Sequence, residues 1–150
     1  MYRVPEVSFT TETMRYIALF ESLTGAHAKD CLILEGEDSR IVFVVKSGDM
    51  GLAIGKNGNN INRVKKQIGR HVEVIEYNED PKEFIKNLFQ PATVKNIVIS
   101  TKGERTLAIV DVATKDKGLA IGKNGRNINK VKLLAQRHHT VDDVIINNQK

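Results

Sequence analysis

The sequence predicts a mixed α/β (α+β) protein made of two copies of one unit, each a three-stranded sheet packed against helices. Three observations carry this. Residues 51–66, GLAIGKNGNNINRVKK, recur as residues 118–133, GLAIGKNGRNINKVKL, with 13 of 16 positions identical. The pattern around each copy runs helix, strand, strand, helix, loop, helix, strand. Only Asn78-Glu79-Asp80 separate the halves, too short a junction to act as a flexible linker. The boundaries expected are 1–77 and 78–150. Units of this size bury only about 60% of their unfolded surface, so the two are expected to pack against each other.

In the first unit, TTETMRYIALFESLTG carries Met14, Ile17, Ala18 and Phe20 to Leu23 at helical spacing, with Gly25 as a stop. CLILEGE and IVFVVK read as strands about the turn Glu37-Asp38-Ser39-Arg40. A short helix, Asp49 to Ile54, leads into the loop, and a second, Asn59 to Ile68, is stopped by Gly69. HVEVIEY alternates as a strand, with Val72, Val74 and Tyr77 as the candidates for its inner face. In the second unit Pro81 starts a helix with Phe84, Ile85, Leu88 and Phe89 on one side, and Pro91 ends it. VKNIVIST and TLAIVDVA are strands about Lys102-Gly103-Glu104-Arg105. Asp116 to Ile121, the loop Gly122 to Gly125, a helix Arg126 to Arg137 and a strand Val141 to Ile146 complete it; the tail from Asn147 is expected to fray.

The net charge of +5 is unevenly sorted. Windows 46–71 and 115–137 hold 13 of the 23 Lys and Arg but two of the 18 acids, Asp49 and Asp116, so they carry +11 and the remainder −6. A basic stripe on an acidic body is the footprint of a polyanion site. All eight aromatic residues lie outside these windows. A sheet that stacks bases on aromatics would place them beside the charge; here they read as core.

The centre of each copy is a Gly-x-x-Gly loop opening a helix: Gly55, Lys56, Asn57, Gly58 and Gly122, Lys123, Asn124, Gly125. The first glycine lets the chain turn out of one helix. The second lets the next begin with its amides, and the positive end of its dipole, facing a phosphate. Asn59, Asn60, Arg63 and Lys66 extend this basic face in the first copy, and Arg126, Asn127 and Lys130 in the second. Leu52, Ala53, Ile54 and Ile61, with Leu119, Ala120, Ile121 and Ile128, are candidates for the floor of a groove that takes bases. The competing reading puts aliphatics here into the core, above all Ile54, Val64, Ile121 and Val131.

Other chemistries fit poorly. A Walker loop needs four residues between its first glycine and Gly-Lys, then Ser or Thr; Gly51 to Gly55 enclose three, and Asn57 stands in the hydroxyl position. One cysteine, Cys31, excludes an internal disulfide and a cysteine-rich zinc site and reads as a buried hydrophobe. His138 and His139 are adjacent and would point opposite ways in an extended segment, and His27 and His71 have no ligand-spaced partners, so no metal is expected. No nucleophile–base pair, cofactor site, membrane span or signal core is apparent. The expectation is a cytoplasmic, monomeric, non-enzymatic binding protein.

Gly51-x-x-Ile54-Gly55-Lys56-x-Gly58-x-x-Ile61 and its second copy resemble the KH-domain signature, and the element order looks like the type II arrangement. Over about residues 6–147 the chain is similar to the archaeal form of the NusA family of transcription termination/antitermination factors. The resemblance implies that each domain clamps about four nucleotides of single-stranded RNA, that the two form one RNA surface, and that the protein acts at elongating RNA polymerase. The alternatives are a ribosome- or RNA-processing-associated KH protein, and a protein-interaction scaffold whose KH folds hold no RNA.

Overall fold

A computed structural model describes residues 10–36 and 39–147. Residues 1–9 with Tyr2 and Phe9, Glu37 and Asp38 of the expected turn, and 148–150 of the expected tail lie outside the described residues. The chain divides into two compact units between Asn78 and Glu79.

The first unit opens with α1 (Thr11–Thr24). The Thr10 side chain caps it by accepting from the Thr13 amide, and the Gly25 amide closes it on the Glu21 carbonyl. Strand β1 (Ala28–Leu34) pairs antiparallel with β2 (Arg40–Val45). It starts three residues earlier than the sequence suggests, because a register irregularity between Ala28 and Asp30 carries the pairing past the charged Lys29-Asp30. Helices α2 (Met50–Ile54) and α3 (Asn59–Ile68) then cross over to β3 (His71–Glu76), parallel to β2. A parallel return needs such a crossover. Strand β2 is central, and Ile41 to Val45 are fully buried. The unbroken apolar run of that strand is what a strand covered on both faces requires. On the helix side Phe20 stacks on Phe43 at 4.3 Å between centroids, joined by Ile41, Val45, Ala53 and Val64. Val72 and Val74 pack against this cluster, as the alternation suggested.

The second unit repeats the design. Asp80 caps α4 (Pro81–Phe89) by accepting from the Lys82 amide. Strands β4 (Val94–Lys102) and β5 (Arg105–Val112) form a hairpin through Gly103-Glu104, and α5 (Lys117–Ile121) and α6 (Arg126–His139) lead to β6 (Asp143–Ile146), parallel to β5. Phe84, Ile85, Leu88, Val110, Val131 and Leu134 are fully buried.

Helix α6 runs two residues beyond the expected Arg137. His138 and His139 are therefore helical, not extended, and both rings pack on Phe84, with centroids 5.6 and 5.3 Å away. The helix ends on Thr140 at φ 52°, ψ 34°, where α3 ends on a glycine. A β-branched residue in the left-handed region costs about 1–2 kcal/mol, part of which glycine gives back in chain entropy. Thr140→Gly should therefore stabilise the protein by about 0.5–1 kcal/mol, seen as a higher urea midpoint at unchanged slope. A lower midpoint would contradict the strain.

Candidate nucleic-acid interface

Each loop joins its two helices through the same backbone path. Gly55 lies at φ 77°, ψ 171° and Gly122 at 77°, 167°. Asn57 (57°, 27°) and Asn124 (58°, 28°) are left-handed, as are Gly58 and Gly125. Asparagine is among the few side chains that adopt this region readily. The Gly58 amide donates to the Gly55 carbonyl and the Gly125 amide to that of Gly122, both at 3.1 Å.

The first glycine of each motif is sterically obligatory. A Cβ on Gly55 would lie 2.7–2.9 Å from Asn60, its backbone nitrogen included, and one on Gly122 would lie 2.7 Å from the Asn127 nitrogen. The same asparagines brace the turn: Asn60 Nδ2 donates to the Leu52 carbonyl at 2.7 Å and Asn127 Nδ2 to that of Ala120 at 2.9 Å. This satisfies a carbonyl that the end of a short helix leaves open. Gly58 and Gly125, the N-cap residues of α3 and α6, offer no side chain to cap them. Both helices thus begin with partially positive amides beside an exposed lysine and asparagine, Lys56-Asn57 and Lys123-Asn124.

The expected floor residues separate into two layers. Ala53 and Ala120 have no exposed surface, Ile61 is buried at 9%, and Ile128 is half-buried. Val64 and Val131 are core, as the competing reading had them, but Ile54 and Ile121 are not: they are 37% and 43% exposed, next to Leu52 at 51% and Leu119 at 54%. Among the described residues seven large hydrophobic side chains are this exposed, and these are four of them. The apolar surface is thus concentrated beside the two loops.

On the outer face of α3 a depression of about 480 Å³ is lined by Asn59, Asn60, Asn62, Arg63 and Lys66. Four of these were expected. Asn62 was not, although its place three residues after Asn59 puts it on the same face. Arg63 donates to the Leu23 carbonyl at 2.9 Å and to Asn60 Oδ1 at 3.0 Å, tying the end of α1 to the loop. Its counterpart Lys130 is 1% exposed, which removes it from the contact face expected for it. Arg126 and Asn127 are half-buried.

The two acids inside the basic windows serve the backbone. Asp49 Oδ2 accepts from the His27 amide at 2.8 Å and Asp116 Oδ2 from the Thr93 amide at 2.9 Å, each fixing the entry to the first helix against the start of the hairpin. Gly51 and Gly118, in the first turns of α2 and α5, are exposed, and a Cβ on either would meet nothing within 4 Å.

Comparison with known proteins fits this geometry. Residues 14–79 match the model of the KH domain and 81–148 that of the NusA-like second KH domain. The probable transcription termination protein NusA of Halobacterium salinarum is 39% identical over 138 residues, 92% of this chain and 96% of that protein. The chain belongs to the archaeal NusA family. The NusA counterpart from Methanocaldococcus jannaschii is 32% identical, over 97% of this chain and 79% of that one. The crystal structure of APE1850 superposes with a TM-score of 0.76 at 34% identity, covering 93% of this chain and 100% of that one. This NusA-family chain therefore consists of two tandem KH domains, each a three-stranded sheet with helices. Among the described residues no group of His, Cys, Asp and Glu could hold a metal ion, and no helix is long and apolar enough to cross a membrane.

Proposed function

We propose that this protein is a monomeric, cytoplasmic, non-catalytic transcription termination/antitermination factor that binds single-stranded RNA through its two Gly-x-x-Gly loops and acts at RNA polymerase. Residues 1–77 and 78–150 are its two RNA-binding modules. The observation that carries the reading is the paired loop. Twice, the same glycine-and-asparagine backbone sets helix-start amides, with no side-chain cap from the glycine before them, and an exposed lysine beside exposed leucine and isoleucine. Amides and lysine suit a phosphate, and aliphatic surface suits the face of an unstacked base. The termination role rests on the names borne by the archaeal relatives. A protein scaffold would have no need of the glycine-and-asparagine backbone that keeps the loop tip open in both copies.

The test is competition. Unpaired RNA of about eight or more nucleotides, four for each module, should displace a labelled single strand at far lower concentration than a duplex of the same sequence. A duplex holds its bases stacked away from the aliphatic surface. Equal competition by the two would sink the proposal.

A further inference from the structure

We propose that the two sites divide the work unequally: the first supplies most of the ionic attraction for the RNA backbone, and the second holds the strand mainly by non-ionic contacts. This rests on the RNA reading above. Formal charge points the other way. Helix α6 carries four cations, Arg126, Lys130, Lys132 and Arg137, and α3 carries three, Arg63, Lys65 and Lys66.

Placement reverses the order. All three cations of α3 are exposed, and Arg63 and Lys66 line the depression beside the loop. Of the four on α6 only Lys132 keeps a substantially exposed side chain, at 43%. Lys130 is 1% exposed, Arg126 and Arg137 are half-buried, and Lys132 Nζ is 3.3 Å from Asp143, which partly neutralises it. Where α3 has Lys66, α6 has Leu133. Exposed ammonium groups such as those of Lys65 and Lys66 can each displace a condensed counterion from a phosphate; cations already bonded within the fold, Arg63 on the Leu23 carbonyl and Asn60 included, do so less. The loop tips, Lys56 and Lys123, are exposed in both copies, so the difference lies in the helices behind them.

The salt dependence of affinity separates the two sites. Binding of a pool of randomised, unpaired RNA of about 12 nucleotides, enough for four at each module, is measured over a range of salt. The proteins compared are the wild type, Lys65→Gln/Lys66→Gln and Arg126→Gln/Lys132→Gln. At roughly 0.7 per single-strand phosphate, the α3 double variant should lose up to about 1.4 from the slope of log affinity against log salt, and the α6 variant less than about 0.5. Equal losses would overturn the inequality and leave the RNA reading standing. A wild type that binds with no salt dependence would overturn both. Should the α6 variant fail to fold, Lys66→Leu decides. It copies the second site at an exposed position and should lower the slope by about 0.7; an unchanged slope refutes the proposal.

Discussion

Replacing Lys56 and Asn57 by aspartate, or Lys123 and Asn124, is expected to lower RNA affinity at least tenfold, and the quadruple variant at least a hundredfold, with the fold intact. Each pair puts two carboxylates where a phosphate should lie and removes a lysine. The positions suit the test because all four side chains are exposed, where substitutions usually change stability by no more than about 0.5 kcal/mol. Aspartate also accepts the left-handed backbone of Asn57 and Asn124. If one strand spans both loops, losing either site also loses the effective concentration it gave the other, so each double variant costs far more than half the binding. Circular dichroism and melting temperature should match the wild type. A quadruple variant that folds and binds RNA at full strength would move the site elsewhere on the protein.

The largest effect on stability should come from Gly55→Ala and Gly122→Ala, at about 2–4 kcal/mol each. Two costs combine: a backbone region nearly reserved for glycine, at about 1–3 kcal/mol, and a methyl group 2.7–2.9 Å from the asparagine in the first turn of the next helix, Asn60 or Asn127. Gly58→Ala and Gly125→Ala are the controls. Their nearest neighbours would be 3.6 and 3.8 Å away, so only the left-handed backbone is strained, at about 1–2 kcal/mol. The two glycines of the motif thus do different jobs, and chemical denaturation should rank the variants accordingly. Equal losses at Gly55 and Gly58 would show that the packing of the turn on Asn60 is not what the first glycine serves.

How far such features could be read in advance depends on the range of the interactions behind them. Element order was legible because it follows local periodicity and stop signals, and the duplication let each copy check the other. The end of α6 was legible in principle: Val131, Leu134, Ala135 and His138 keep the helical period, but a histidine pair is a weak helix signal and hid it. Burial was not legible. Arg63 and Lys130 occupy equivalent places in nearly identical segments, yet one is exposed and the other is not. That difference is set by what covers each helix, which the segments themselves do not encode. Ile54 and Ile121 reverse the usual rule for isoleucine for a related reason. The helix before each loop is about one turn long and has one buried residue, Ala53 or Ala120, to spend on the core, so the leucine and isoleucine on either side of it face outward. Asn60 and Asn127 read as ligand contacts because they follow the loop; only the fold shows them holding the turn closed.

Gly51 and Gly118 are open on the side where a methyl group would go, and no neighbour forbids one. Alanine is the better helix former by up to about 1 kcal/mol, so this fold leaves stability unclaimed at the same point in both copies. Evolution in the laboratory for heat resistance alone should rewrite these two glycines early. If RNA passes close over that turn, the hardier proteins it yields would be poorer at holding it, and the glycines would mark a trade between endurance and grip.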